Sequence, residues 1–546
     1  MSERVFFMEN KGYLGTMIDC SRNAVMTVDA VKRYIDALEK MGYNMLMLYT
    51  EDTYEIDGYK MFGAYRGRYS KEELKEIVAY GEKHGIELIP CIQTLGHLQQ
   101  IFRWGEEFGA VQDTAGILLV DEEKTYDLID AMLRTVKECF NSPKVHIGMD
   151  EAYSLGLGKY LKKHGYTDRF DILSRHLKRV TDMVKGYGLD PIIWSDMFFN
   201  IAAGEYYTYD NPNVITPEIA ALVPEGLELV YWDYFTGNKK NCTNMMINHN
   251  RFGRPIWFAG GALTWTGFTP HNSLAQRNLK IAAECCRENG VNNFIVTCWG
   301  DDGNETSKFS VLPTLLYAAE LYRGNDDMES IKAKFKELLE IEFDDFMKLD
   351  YPNTLNPEEK LHYNSPDRNL FYNDPLLQIY DDLISEDAEL WVENYRRYVK
   401  ELEPLKDSKY FGYLFDTAAA LCDCMTVKML LGKRTRKAYE SGDKAALAAV
   451  LPDYDEAIKK IDVFYEKFRN QWYKENKFTG FEVQDVRLGG LRRRLENCKF
   501  ILEKYINGEI ENIPELETEV REIKDKFEEM KQFKWLRIVS ANIMGH

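Results

Sequence analysis

From residue 13 to residue 300 the chain alternates short, almost wholly apolar runs with longer stretches whose apolar residues recur at three- and four-residue spacing. The apolar runs are YLGTMID (13–19), YNMLMLY (43–49), IELIPCIQ (86–93), KVHIGMD (144–150), PIIWSDM (191–197), LELVYWD (227–233), PIWFAGG (255–261) and NFIVTCWG (293–300). The stretches between them, such as VDAVKRYIDALEKMG at 28–42, have the period of amphipathic helices. Gly42, Gly85, Gly188, Gly253 and Gly290 each stand just before a strand, where a left-handed residue ends a helix. Strands that are apolar on both faces and alternate with helices predict parallel βαβ units, and eight of them predict a closed TIM (β/α)₈ barrel. An open doubly wound sheet is disfavoured: strand one runs into Asp19-Cys20-Ser21-Arg22, and no G-x-G-x-x-G or Walker sequence occurs.

Beyond about residue 325 the pattern is helical throughout. Residues 328–349, 386–405, 417–440 and 515–533 carry helical periodicity, with a loop-like stretch at 350–375. The expected organisation is a catalytic barrel over 1–325 followed by an all-α domain of five or more helices over 326–546. That second domain is expected to serve dimerisation or to wall a substrate cleft.

Composition narrows the function. With 69 Lys+Arg against 88 Asp+Glu the formal charge is −19, which argues against nucleic acid as a partner. No run approaches the roughly 20 apolar residues of a membrane helix, and the opening MSERVFFMENKGYLG lacks a signal-peptide core, so a cytoplasmic location is expected. The ten cysteines form no spaced framework and read as buried free thiols. No metal or organic cofactor is indicated, because the histidines lack ligand spacing such as H-E-x-x-H.

In a TIM barrel the reactive residues lie at the carboxyl ends of the strands. Those positions hold Asp19 and Arg22, Glu51 and Asp52, His97, Asp150 and Glu151, Trp194 and Asp196, Trp232 and Asp233, Trp265, and Trp299 with Asp301 and Asp302. Singly, each has a plain structural reading, a strand-end Asp as a helix cap or a Trp as core. Together, four tryptophans among carboxylates describe a carbohydrate site, where aromatic faces stack on sugar C–H faces and charged groups bond hydroxyls.

The end of the fourth strand, His146-Ile147-Gly148-Met149-Asp150-Glu151, matches H-x-G-x-D-E. Here the chain resembles glycoside hydrolase family 20, over roughly residues 12–320. The resemblance takes in GTMIDCSRN on strand one, LYTEDTYEI on strand two and IPCIQTLGHLQ on strand three. It implies a β-N-acetylhexosaminidase that removes terminal β-linked GlcNAc or GalNAc from oligosaccharides. Glu151 would be the acid and then the base, and Asp150 would orient the substrate's 2-acetamido group as it attacks the anomeric carbon. It further implies a buried Asp52–His97 relay beside the acid and an acetamido pocket of Trp194, Trp232 and Trp299, with Tyr234 or Tyr231 bonding the acetamido oxygen. Consecutive carboxylates fit this assignment, since nucleophile and acid of an ordinary retaining enzyme face each other about 5–5.5 Å apart.

Two departures stand out. With strand one beginning almost at once, the small α/β domain that often precedes the family's barrel is not expected, and Leu14 occupies the position of the family's usual sugar-binding Arg. Hydroxyl recognition therefore falls to Arg22, Asp19, Glu51 or Asp302. One rival reading is a barrel glycosidase with Asp233 or Asp301 as its own nucleophile, and another is a barrel that binds sugar without cleaving it. The first should accept sugars lacking the acetamido group. The second is opposed by the intact Asp150-Glu151 pair.

Overall fold

The structure is a computed structural model describing residues 12–235, 237–357, 366–384 and 388–520. Eight strands, β1 (Leu14–Asp19), β2 (Met45–Tyr49), β3 (Glu87–Cys91), β4 (Lys144–His146), β5 (Asp190–Trp194), β6 (Glu228–Trp232), β7 (Ile256–Gly261) and β8 (Asn293–Cys298), close into a parallel barrel in chain order. Closure is made by β8 on β1, with Leu14 opposite Phe294 and Ile18 opposite Cys298. All eight coincide with the apolar runs because each strand is covered on both faces, as Met17, Met47, Ile89, Val145, Ile193, Val230, Phe258 and Val296 illustrate by their burial.

The helix α1 (Val28–Met41) shows how the connections are specified. Thr27 caps it by accepting from Ala30 N, and Gly42 at φ +75° ends it with its N–H on the Glu39 and Leu38 carbonyls. Gly85, Gly188, Gly253 and Gly290 are likewise left-handed. Helix α2 (Lys71–Lys83) opens with a Ser70–Glu73 capping box. Helices α3 (Glu123–Cys139), α4 (Arg169–Gly186), α5 (Asp196–Ala203), α6 (Lys239–Asn250) and α7 (Asn272–Glu288) continue the alternation.

The chain divides into two compact units. The first comprises Met1–Leu263, Ala275–Gly300 and Thr314–Lys334, and the second comprises Thr264–Leu274, Asp301–Pro313 and Phe335–His546. The second is helical: α8 (Ala388–Leu402), α9 (Gly412–Lys428), α10 (Leu431–Glu440), α11 (Leu451–Glu475) and α12 (Glu482–Ile506) are its long elements. Most of the helix expected over 515–533 lies outside the described residues. No described helix is long and apolar enough to cross a membrane. All ten cysteines are free and buried.

Candidate active site

Gly148 (φ +73°) and Met149 (φ +72°) turn the chain out of β4 through the left-handed region. Glycine is required at 148, because in this left-handed backbone a Cβ would lie 2.8 Å from the Ile92 carbonyl oxygen and 2.1 Å from Gln93 Oε1. That close approach lets Gln93 brace the loop: its Oε1 accepts from Met149 N (3.1 Å), and its Nε2 donates to Asp150 Oδ1 (2.6 Å) and to Tyr49 Oη (3.0 Å). His146 is a fixture of the same turn. It accepts from Gly148 N (3.1 Å), packs 4.4 Å from Trp194, and burial holds it neutral with a pKa near 3.

The two carboxylates that follow share one imidazole. His97 Nε2 lies 3.1 Å from Asp150 Oδ2 and 3.5 Å from Glu151 Oε2. Burial works against the charge on both His97 and Asp150, but their mutual attraction is larger. The His97 pKa rises to about 9, and the Asp150 carboxyl is held below the usual carboxylate range with help from Gln93. The neighbours differ sharply in access: the Asp150 side chain is 11% exposed and that of Glu151 43%. Tyr153 Oη donates to the other Glu151 oxygen at 3.2 Å.

Glu151 stands at φ +51°, and its main-chain N–H donates to Asp196 Oδ2 at 2.9 Å. A non-glycine residue held left-handed costs on the order of 1 kcal/mol and persists only where its surroundings impose it. Asp196, fully buried at the start of α5, supplies that restraint. Its Oδ1 has no hydrogen-bond partner among the described residues. Burial, followed by the charge on Asp150, pushes the Asp196 carboxyl well above its ordinary range.

A second cluster adjoins the first through Tyr49, whose hydroxyl donates to Glu51 Oε1 at 3.0 Å. Arg22 reaches Asp19 Oδ2 at 3.0 Å and Glu51 Oε1 at 3.3 Å, with its guanidinium 5.1 Å from the Tyr49 ring and 5.4 Å from Trp299. Asp19 also accepts from Ser21 N and Gly300 N. Asp19 and Glu51 are buried, and Arg22 is partly open.

The expected Asp52–His97 relay is not formed. Asp52 Oδ1 takes Arg66 Nε at 3.0 Å, while His97 turns to Asp150 and Glu151. The competing partner was illegible because Arg66 lies in the loop after β2, where no periodicity marks it. Burial, offset by Arg66, leaves the Asp52 pKa at about 6.

The aromatic residues of the β5, β6 and β8 ends form one group. Trp194 lies 5.9 Å from Trp299, Trp299 Nε1 donates to Tyr234 Oη at 2.7 Å, and Tyr234 stacks on Trp232 at 5.3 Å. Tyr231 instead packs on His249 of α6 and donates to Asp233 Oδ2 (2.7 Å). Tyr209 Oη (2.9 Å) and Phe235 N (3.0 Å) also donate to Asp233. Trp265, Asp301 and Asp302 belong to the second unit, where the Trp265 carbonyl accepts from Arg368 and Asp302 adopts φ +67°. Sequence reasoning passed over Gln93 and Tyr153 and assigned Asp196 no role. Gln93 was the findable one, as the polar residue closing the third apolar run.

The family description "Glycosyl hydrolase family 20, catalytic domain" matches residues 12–232, and "Glycoside Hydrolase 20C C-terminal domain" matches residues 344–535. The chain belongs to glycoside hydrolase family 20. Hexosaminidase D of Homo sapiens is 27% identical over 330 residues, covering 55% of this chain and 64% of that protein. Hexosaminidase D of Bos taurus is 22% identical over 326 residues, covering 55% of this chain and 89% of that protein. Beta-hexosaminidase 3 of Arabidopsis thaliana is 27% identical over 208 residues, or 35% of this chain and 38% of that protein. The chain thus spans less than two thirds of the human and Arabidopsis relatives.

Proposed function

We propose that this family 20 chain is an exo-acting β-N-acetylhexosaminidase that hydrolyses terminal β-linked GlcNAc or GalNAc with retention, using the substrate's own acetamido oxygen as nucleophile. The observation that carries the reading is the division of labour inside one dipeptide. Asp150 is buried, ionised and charge-paired, and Glu151 beside it is half open to solvent. A carboxylate fixed in its charged form suits an acetamido group that becomes positive as it attacks, whereas proton transfer to a leaving group needs a carboxyl that exchanges with water.

In this reading Asp150 accepts the acetamido N–H and stabilises the oxazolinium-like charge. Glu151 protonates the glycosidic oxygen and then deprotonates the water that opens the ring. Trp194, Trp232 and Trp299 press the acetamido group toward the anomeric carbon, a proximity contribution. Tyr234 is assigned to the acetamido oxygen, since its ring lies between Trp232 and Trp299 while Tyr231 is turned to α6. Arg22, the partly open cation of the Asp19–Glu51 cluster, takes the hydroxyl-binding role left vacant by Leu14. Ten buried free thiols are compatible with a reducing, cytoplasmic setting.

The test compares p-nitrophenyl N-acetyl-β-glucosaminide, its galacto epimer and p-nitrophenyl β-glucoside, with wild type and Glu151→Gln. Turnover confined to acetamido substrates and lost in the variant is expected. Comparable cleavage of the plain glucoside would mean a protein nucleophile and overturn the substrate-assisted assignment.

A further inference from the structure

We propose that Tyr153 and the loop carrying it form the subsite for the leaving-group sugar, so that the enzyme prefers a pyranose ring, rather than a small alkyl group, on the far side of the scissile bond. The inference rests on Glu151 being the acid. A general acid hands its proton to the glycosidic oxygen, so whatever leaves must lie against its accessible carboxyl oxygens. Of the groups touching that carboxyl, His97 is a largely enclosed cation, 17% exposed and already committed to Asp150. Tyr153 is the outward one, with its hydroxyl on Glu151 Oε1 and the residue 44% exposed.

An exposed aromatic on a mobile loop would lose much of its stacking energy to ordering, but this loop is braced. Tyr153 N donates to the Glu151 carbonyl at 2.8 Å, and Arg169 Nη1 donates to the Tyr153 carbonyl at 3.0 Å. Further along, buried Asp113 accepts from Gly156 N (2.9 Å) and Tyr160 N (2.8 Å), and Thr114 Oγ1 meets Ser154 Oγ at 2.9 Å. Gly158 fits so closely over Asp113 that a Cβ would lie 2.1 Å from its carbonyl oxygen. Leu157, 50% exposed, extends the apolar surface on the same loop. A half-buried ring with a fixed backbone and a polar tip is the kind of surface that stacks on a sugar at little entropic cost. Burial and the Glu151 and Asp196 carboxylates hold the phenol protonated, so it remains a donor to Glu151.

The experiment measures kcat/KM for N,N′-diacetylchitobiose and for methyl β-N-acetylglucosaminide, with wild type, Tyr153→Phe and Tyr153→Ala. The two substrates share an alkoxide leaving group and need the same proton, but only the first places a ring at Tyr153. Tyr153→Ala is expected to lose about tenfold on the disaccharide and at most about threefold on the methyl glycoside, with Tyr153→Phe keeping most of the disaccharide preference. Binding of free N-acetylglucosamine, which fills the inner pocket alone, is expected to stay unchanged and to show that the variants are folded. Equal losses on both substrates would assign Tyr153 to holding Glu151 and overturn the subsite, as would no loss on either. If wild type turns over neither substrate, the hexosaminidase reading itself fails and takes the subsite with it.

Discussion

Glu151 in the barrel unit and Glu305 in the helical unit are both carboxylates among cations, and they are built to opposite ends. The Glu305 side chain is completely buried and bonded at both oxygens. Its Oε1 accepts from Arg487 (2.8 Å) and Gln484 (3.1 Å), and its Oε2 pairs with Arg368, itself 4% exposed. With its side chain wholly enclosed, neither oxygen faces solvent. Glu151 has one phenol, one imidazole at 3.5 Å shared with Asp150, and 43% of its side chain in the open. Burial of charge alone therefore does not mark a reactive group. On the proposed reading, what sets Glu151 apart is an open carboxyl beside a charge-paired one, held in a strained backbone by a third.

Substitution at the two sites should give mirror-image results, and this is the largest effect expected. Glu151→Gln should lower kcat by about 10³-fold, within the 10²–10⁴ that a general acid contributes, with the melting temperature nearly unchanged. Glu305→Ala should leave Arg368 without its carboxylate in the interior and cost about 3–5 kcal/mol of stability, read by chemical denaturation. A stable Glu305→Ala protein would show the two clusters to be less different than their geometry says.

Asp196 sharpens the contrast, being fully buried like Glu305 yet unsaturated like Glu151. Its restraint on the Glu151 backbone needs only an acceptor oxygen, which Asn also provides. Asp196→Asn should keep kcat within about threefold, and Asp196→Ala should lose about a hundredfold with KM little changed, the size of a misplaced catalytic group. Equal losses in both would mean that the carboxyl acts by its proton rather than by its position.

How far such differences can be read from sequence depends on what specifies them. The eight strands were legible because parallel strands covered on both faces must be continuously apolar, and the helix ends because Gly42, Gly85, Gly188, Gly253 and Gly290 supply left-handed residues. Asp150 and Glu151 were legible through a short signature at a strand end. Partner choice was not. That His97 turns to Asp150 and Asp52 to Arg66 depends on the path of the loop after β2, and local pattern does not encode it. Gly148 was visible as a motif letter, while its reason, the approach of Gln93, exists only in three dimensions.

His97 makes the saturated half of the pair sensitive to pH. Its folded pKa of about 9 lies above the ordinary value of 6.5, so the stability it contributes is complete below about pH 6.5 and is lost as pH rises through about 9. Over the same range Asp150 loses its counter-charge. The kcat/KM profile should therefore fall on an alkaline limb near pH 9, reaching about a tenfold loss one unit above it. In His97→Gln that limb should disappear from a lower plateau. A limb that stays near pH 9 in the variant would belong to another group.

The smallest effect expected is at Asp233, and it decides between the substrate-assisted reading and its nearest rival. A protein nucleophile needs a carboxylate oxygen free to attack, but Asp233 Oδ2 already accepts from Tyr231 and Tyr209 and Oδ1 from Phe235 N. Asn preserves the shape and part of this bonding, so Asp233→Asn should change kcat by less than about tenfold and cost about 1–2 kcal/mol of stability. Loss of a nucleophile is a different order of effect, since no other group could form the covalent intermediate. A fall of 10³-fold or more with the protein still folded would move the chemistry from the end of β4 to the end of β6, and with it the meaning of the open carboxyl at Glu151.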